Sequence, residues 1–237
     1  MKRELKKALI ELYEAPIPQK KQAFLKQIRE PGISNRQFFL LQAGYIGKWV
    51  WLVSVIIFLG ALFCGYYAEK NVLWVISAMM PFLAVTLTTE NIRSELYGMS
   101  ELEMSSRFSL KSVLFARMGI IGMVHLVILC FAVGFGGSQS GSSLFCVGVY
   151  LLVPYLLTDV IGLWIVRKIH GKEAVYASFG VAVLIMLLPI LDNCMFNTLY
   201  QPGVFGWWVA LLIVLCVRAV SEWKKRIDGT EEFVWNW

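Results

Sequence analysis

Six long runs of apolar residues dominate the sequence, and their length limits the folds that the chain can adopt. A helix needs about 20 apolar residues, with a range of about 17 to 25, to cross the hydrocarbon core of a bilayer. The six runs lie at about 47–68, 72–89, 113–135, 144–166, 174–191 and 204–220. Backbone polar groups in lipid must be paired within the segment, so such runs predict helices. The sequence therefore predicts an all-α integral membrane protein with a six-helix transmembrane domain at 48–222.

Composition supports a membrane protein and excludes several other classes. Apolar residues make up 58% of the chain and charged residues 16%, against about 25% charged residues in soluble domains. The formal net charge of +6 is expected from basic loops beside a membrane, so no nucleic-acid partner is predicted. The two histidines and five cysteines form no metal-ligand or paired-cysteine pattern. Neither a metal site nor a disulfide framework is predicted.

The first 45 residues are polar and basic, and they differ from the apolar remainder. Residues 1–33 are predicted to form short cytosolic amphipathic helices, which prolines interrupt. Residues 34–47 are predicted to form one more helix, in which Phe38, Leu41 and Tyr45 share a face. An amphipathic helix directly before a span is expected to lie in the membrane interface. The alternative is a cytosolic helix that packs on another part of the protein.

Lysine and arginine are distributed unequally among the segments that join the predicted spans. All but one of the 22 Lys and Arg residues lie before the first span or at its start (Lys48), between the second span and Arg117 near the start of the third, near residue 170, or near the end of the chain. Lys70 is the exception. Positively charged loops stay on the cytoplasmic side. Both termini, the 90–112 segment and the 223–237 tail are therefore predicted to face the cytoplasm of a bacterial-type plasma membrane.

The 90–112 segment is a charged island between two apolar runs, and it contains several helix start and stop signals. Gly98 is suited to ending a helix, and Ser100 with Glu103 three residues later forms a capping box. Ser109 can cap the following helix, which becomes the third span. The pattern predicts a short helix that lies across the membrane surface as a cytoplasmic coupling loop. The alternative is an ordinary solvated loop whose charges only promote solubility.

This island resembles the cytoplasmic loop of type-two ABC exporter permeases. That family has a Glu-rich start, a Gly-Thr pair, a Glu two residues on, a Pro near the end and then a Ser. The residues at the matching places are Glu95, Gly98, Glu101 and Ser109. Met99 replaces the Thr of the family, Glu103 replaces an apolar residue, and Arg107 replaces the Pro. The layout of six spans, with both ends inside and an interfacial helix before the first span, also resembles this family.

The resemblance implies a permease subunit that pairs with a second, identical or different, permease subunit and binds a separate ATP-binding-cassette ATPase. The residues implied to dock on the ATPase are Glu95, Gly98, Met99, Ser100, Glu101, Leu102, Glu103 and Arg107. The substrate would be hydrophobic or amphipathic: a drug, a lipid or an antimicrobial peptide. ATP and Mg are expected on the partner, because this sequence contains no GxxxxGK[ST] phosphate-binding loop.

An enzyme and a membrane scaffold are the other function classes for a chain of this kind. No nucleophile elbow or zinc-binding helix motif occurs in the sequence, so no catalytic residue, cofactor or enzymatic activity is predicted for this chain. The remaining alternative is a membrane scaffold or signalling subunit that anchors a cytosolic regulator through the basic N-terminal helices. The length of the N-terminal extension favours this alternative.

The intramembrane polar residues that the sequence singles out are Asp159, Arg117 and His125. A charged side chain at the centre of a membrane helix costs about 2.5 to 3.5 kcal/mol on insertion scales, so each predicts a specific role. Asp159 and Arg117 are at depths that would allow a structural ion pair. In the alternative, Asp159 lies in a polar translocation pathway. His125 is predicted to be neutral, with one hydrogen bond to a neighbouring helix.

Overall fold

The computed structural model describes residues 34–67, 72–96, 110–169, 171–196 and 198–232. Within these ranges all regular secondary structure is helical, and no strand occurs. The helices are α1 (Asn35–Tyr45), α2 (Lys48–Tyr67), α3 (Val72–Leu96), α4 (Leu110–Ser140), α5 (Leu144–Lys168), α6 (Lys172–Met195) and α7 (Phe205–Glu232), with a short 3-10 helix at Pro202–Val204. The predicted all-helical fold class is confirmed for this part of the chain.

Five of these helices, α3 to α7, are long and apolar enough to cross a membrane. Helices α1 and α2 meet the same criterion only as a pair, and the chain bends by 82° between them. The described residues therefore provide five candidate spans, or six if this bent pair forms one span. These apolar helices indicate a membrane-embedded protein.

Several helices extend beyond the apolar runs that predicted them. Helix α3 continues to Leu96, and α4 spans 31 residues up to Ser140. Helix α7 continues to Glu232, so most of the predicted 223–237 tail is helical. Hydropathy marks where the charges begin, but Glu, Lys and Arg are good helix formers and do not stop the helix. Gly141 directly follows α4 and has a φ of 66°, a conformation that L side chains rarely adopt.

The chain divides into two compact units, Met1–Phe38 and Phe39–Trp237. The described part of the first unit is the start of α1. There the Ser34 backbone N–H donates to Gln37 Oε1 at 3.1 Å, and the Phe38 N–H donates to the Ser34 carbonyl at 2.9 Å. Such bonds satisfy backbone groups that a helix start leaves unpaired. The helices predicted within 1–33 lie outside the described residues.

Helix α3 is the centre of the second unit. In its apolar 18-residue stretch 67% of the residues are buried, and the helix packs against α2, α4, α5 and α6. The largest core cluster contains Ile76, Met80 and Leu83 of α3 with residues from α2, α4 and α5. Helices α3 and α5 approach closely at Gly162, where an added Cβ would lie 2.7 Å from Thr88 Oγ1. The buried surface of α3 therefore positions the polar side chains described next.

Candidate functional site

A series of buried polar side chains extends from the middle of the bundle to one of its ends. We call this series the polar column; its members are Thr86 and Glu90 of α3, His125 of α4, Tyr155 and Asp159 of α5, and Glu222 of α7, all of them buried. The end that it reaches is the basic end, where α3, α5 and α7 finish and α4 and α6 begin. Polar groups buried among membrane helices are costly unless paired, so the partners of each member define the site.

His125 connects three helices at the middle of the bundle. Its Nε2 lies 3.1 Å from Thr86 Oγ1 and its Nδ1 lies 3.1 Å from Tyr155 Oη. The Thr86 hydroxyl already donates to the Leu83 carbonyl at 2.8 Å, so Thr86 Oγ1 accepts a hydrogen bond from Nε2–H. Nδ1 then accepts from the Tyr155 hydroxyl. This geometry assigns the neutral tautomer protonated at Nε2, with two hydrogen bonds where the sequence predicted one.

Asp159 lies one helical turn beyond Tyr155 and is 3% exposed. Its Oδ2 accepts a hydrogen bond from Trp223 Nε1 of α7 at 3.3 Å, and its Oδ1 has no hydrogen-bond partner among the described residues. The predicted pair with Arg117 is wrong. Arg117 Nε instead donates to Gln42 Oε1 of α1 at 3.3 Å, because Asp159 faces α7 while Arg117 extends toward α1 at the basic end. A role of Asp159 in a translocation pathway stays a prediction.

A cluster that we call the elbow clasp joins α3 to the bend between α1 and α2; it consists of Tyr45, Gly47, Glu90 and Arg93. Glu90 Oε1 accepts from the Gly47 N–H at 3.1 Å and from Arg93 Nη1 at 2.8 Å. Arg93 Nη1 also donates to the Tyr45 carbonyl at 2.7 Å. These two backbone groups lie at a helix end and a helix start, where intrahelical partners are missing. The clasp therefore fixes the elbow to α3.

Gly47 is suited to its place in the elbow clasp because it has no side chain. An added Cβ at Gly47 would lie 3.3 Å from Arg93 Nη1 and 3.4 Å from Glu90 Oε2. Both distances are at the tight end of ordinary contacts. A larger residue at Gly47 is therefore expected to displace the ion pair.

A second charged cluster joins α5 to α7 at the basic end. Arg167 Nη1 lies 2.8 Å from Glu222 Oε2, and Lys225 Nζ lies 3.0 Å from Glu222 Oε1. The Glu222 side chain is only 7% exposed, so two cations compensate one buried carboxylate. Removal of one partner of a buried ion pair is strongly destabilising. This cluster therefore fixes the last turns of α7 to α5.

Sequence reasoning did not identify several members of these clusters. Thr86, Tyr155, Trp223 and Glu222 were not singled out, although each is a polar or amphipathic residue in or beside a predicted span. Glu90 and Arg93 were recognised as charges, but their contact with the elbow was not predicted. The three-residue spacing of Glu90 and Arg93 was a usable signal for an ion pair on one face of a helix.

The residues implied to dock on an ATPase have little described structure. Glu95 lies in the last turn of α3, but only its backbone is described. The remaining implied residues, Gly98, Met99, Ser100, Glu101, Leu102, Glu103 and Arg107, lie outside the described residues. The transverse helix and its capping box therefore stay predictions.

The end of the bundle opposite the basic end is closed by a hydrogen-bonded loop. Asp192 at the end of α6 accepts from the Thr198 N–H, the Thr198 hydroxyl and the Leu199 N–H, each at 3.1 Å. Trp208 Nε1 donates to the Leu199 carbonyl at 2.8 Å. Burial raises the pKa of Tyr200 in this loop to about 12, so its phenol is neutral at physiological pH. These hydrogen bonds fix the loop between α6 and α7.

Among the described residues, no group of three or more His, Cys, Asp or Glu side chains could hold a metal ion. The described part of the chain is all-helical, its apolar helices indicate a membrane-embedded protein, and its interior contains hydrogen-bonded polar side chains. No protein-family model, no curated protein and no solved structure matches the chain. The resemblance to ABC permeases rests on the sequence around Glu95–Ser109 and on the layout of spans.

Proposed function

We propose that the chain is the membrane-spanning permease subunit of an ABC transporter, an exporter of a hydrophobic or amphipathic substrate that a separate ATPase subunit drives. The elbow clasp carries this proposal, because it joins the helix that leads into the 97–109 segment to the elbow between α1 and α2. In the proposal, α1 lies along the interface and α2 completes six spans in a bacterial-type plasma membrane, with both termini in the cytoplasm.

Helix α3 has the properties expected of an element that transmits force. It continues without a break from its apolar window to Leu96, directly before the 97–109 segment. It packs against α2, α4, α5 and α6. A partner that pushed on the 97–109 segment would move the end of α3, and the elbow clasp would carry that movement to α1 and α2. Packed helices respond by such rigid shifts rather than by continuous deformation.

The exposure of α1 supports its interfacial placement in this proposal. Phe39, Leu40, Leu41 and Tyr45 are each about half exposed or more, whereas Gln42 is buried. An apolar surface beside a span is stabilised where it inserts between lipid head groups. The 82° bend at the elbow allows a helix in the membrane plane to precede a helix that crosses it.

The remaining components of the proposed transporter are partners of this chain. A second permease subunit, identical or different, would complete the pathway, and the substrate would cross between the subunits or be taken from one leaflet. ATP and Mg would bind to the ATPase. The basic end would face the cytoplasm, because Arg93, Arg117, Arg167 and Lys225 lie there and positively charged segments stay inside.

A non-transporting membrane scaffold or signalling subunit is the second candidate function. The observation that favours it is the basic, amphipathic sequence of residues 1–33, which is longer than an interfacial helix requires. In that case a cytosolic regulator would bind through residues 1–33, and the 97–109 segment would be dispensable for partner binding.

The two functions are distinguished by co-expression of the chain with a candidate ATP-binding-cassette ATPase from the same organism, followed by purification and an ATPase assay. Glu101→Lys is expected to reduce co-purification by about tenfold, since reversing one charge at an interface costs on the order of 1.4 kcal/mol or more. Glu173→Lys is the matched control, because Glu173 is an exposed glutamate at the basic end outside the 97–109 segment.

An intact complex with an unchanged ATPase rate in Glu101→Lys would exclude docking through this segment. Partner binding that persists without residues 97–109 but is lost without residues 1–33 would support the scaffold.

A further inference from the structure

A groove of about 470 Å³ lies between α4 and α5, open toward the side of the bundle. We call it the lateral groove; its lining includes Gly122, Cys130 and Gly134 of α4 and Leu144 and Tyr155 of α5. The exposed surface of the lining is almost entirely apolar. Since α4 and α5 are both long and apolar enough to cross a membrane, the groove opens toward lipid.

The lateral groove matches one leaflet of a bilayer in its length and in its position along the spans. Gly122 and Gly134 are separated by 12 residues along α4, a rise of about 18 Å in a helix. Half of a typical hydrocarbon core is about 15 Å. Tyr155 lies next to the midpoint of α5, and Leu144 is its first residue. The groove therefore runs from the middle of the membrane to the Gly141–Ser143 turn.

The volume of the lateral groove distinguishes between its potential occupants. A helix is about 10 to 12 Å wide with its side chains, so a helix from a second copy would pack on the rim of the groove. A non-helical peptide would leave its backbone N–H and C=O groups unpaired against the apolar wall. A single hydrocarbon chain needs no hydrogen bonds and fits both the volume and the length.

Two glycines create the open space within the lateral groove. An added Cβ at Gly122 or at Gly134 would meet no described heavy atom within 4 Å. The space that side chains would otherwise fill is therefore available to a ligand. Tyr155 closes the inner end of the groove and is only 8% exposed. Because its hydroxyl is bonded to His125 at 3.1 Å, Tyr155 presents its ring to the groove.

We propose that the lateral groove binds one acyl chain of a membrane phospholipid from the leaflet at the Gly141–Ser143 turn, with the methyl end of the chain against Tyr155. A bound chain packs on a tyrosine that His125 and Thr86 connect to α3. Occupancy of the groove thus stabilises the contact of α4 and α5 with α3. This inference does not depend on the transporter proposal.

The test uses the full chain in nanodiscs of phosphatidylethanolamine and phosphatidylglycerol, with a trace of phosphatidylethanolamine that carries a diazirine at the end of one acyl chain. After illumination, mass spectrometry is expected to find the label concentrated at residues 122–134 and 144–155. Gly122→Leu with Gly134→Leu fills the groove and is expected to lower this labelling at least about fivefold, because a close-packed site excludes the chain.

Gly119→Leu is the matched control. Gly119 is an exposed residue of the same helix, an added Cβ there also meets no described atom within 4 Å, and Gly119 does not line the groove. Its labelling and its thermal unfolding midpoint are expected to equal those of the native protein. If the double variant fails to fold, Cys130→Trp blocks the same space from another position in the lining.

Three results would overturn the proposal. Labelling at the groove could persist unchanged in the filled variants, or it could be distributed equally over exposed residues of other helices such as Leu184 and Val217. Finally, a bifunctional cross-linker attached at Cys130 could join two copies of the chain through the groove, which would assign the space to a second copy.

Discussion

His125 is the residue whose partners most directly join the middle of the bundle. Its two hydrogen bonds connect α4 to Thr86 of α3 and to Tyr155 of α5. Hydrogen bonds between membrane helices contribute about 0.6 kcal/mol each on average. The triad therefore contributes on the order of 1 kcal/mol, and its directional geometry fixes the relative rotation of three helices. Such a contribution can be measured only as a coupling between substitutions.

His125→Phe is expected to lower the free energy of unfolding by about 1 to 2 kcal/mol, because it removes two hydrogen bonds and leaves the buried Tyr155 hydroxyl unpaired. Tyr155→Phe is expected to cost less, since Thr86 still accepts from Nε2. The double variant is expected to be more stable than the sum of the single effects predicts. The measurement is reversible unfolding in mixed detergent micelles. Additive effects would show that the His125–Tyr155 bond contributes nothing.

Asp159 allows a test between a structural role and a role in a pathway. Asp159→Asn keeps an oxygen acceptor for Trp223 Nε1, and Asp159→Leu removes it. If the residue is structural, Asn is expected to leave transport and stability unchanged, while Leu lowers the free energy of unfolding by about 1 kcal/mol through the unpaired indole. Transport into proteoliposomes and unfolding are measured in parallel. Lost transport with unchanged stability in Asp159→Asn would place the carboxyl in the pathway.

At the scale of elements, the close approach of α5 to α3 limits which residues fit between them. Gly162→Ala is expected to destabilise by about 1 to 3 kcal/mol, since the new Cβ would overlap Thr88 Oγ1 and force a shift. Adding Thr88→Ala is expected to restore part of this loss. Gly180→Ala on α6 is the control, with no described atom within 4 Å of an added Cβ. Its stability is expected to stay equal or to rise. Equal losses at both glycines would mean that helix packing does not explain Gly162.

The elements themselves were largely predictable from the sequence, whereas their contacts were not. The apolar runs correctly located five helices that are long enough to cross a membrane. They did so because a chain in lipid must pair its backbone groups internally, which requires a helix. Among the described residues, the helix in the run at 47–68 is not long and apolar enough to cross a membrane without α1. The partner of Asp159 was predicted wrongly, since the direction in which a side chain points depends on which helices pack together. The distance between Gly162 and Thr88 had no local sequence signal either.

At the scale of the whole molecule, the number of spans determines on which sides of the membrane the two termini lie. If α1 and α2 contribute a sixth span, tags at Met1 and Trp237 are expected on the same, cytoplasmic side. Five spans would put the tags on opposite sides. Protease accessibility of each tag in intact cells and in inverted membrane vesicles measures this. Ser142→Cys, in the Gly141–Ser143 turn, is the control and is expected to react with an impermeant maleimide from outside.

The proposed function requires mechanical coupling of the 97–109 segment to the elbow through α3. Arg93→Gln removes the ion pair with Glu90 and weakens the bond to the Tyr45 carbonyl. It leaves the sequence of the 97–109 segment unchanged. Lys168→Gln is the control, because Lys168 is an exposed cation at the basic end that lies outside the clasp.

The most direct measurement is therefore substrate transport and ATP hydrolysis in proteoliposomes that contain the proposed transporter, with Arg93→Gln or Lys168→Gln in this chain. We expect Arg93→Gln to bind the ATPase normally but to transport about tenfold less substrate per ATP, because the movement no longer reaches the elbow. Lys168→Gln is expected to behave as the native protein. If Arg93→Gln assembles normally and still transports as much substrate per ATP as the native protein, coupling through the elbow clasp is contradicted.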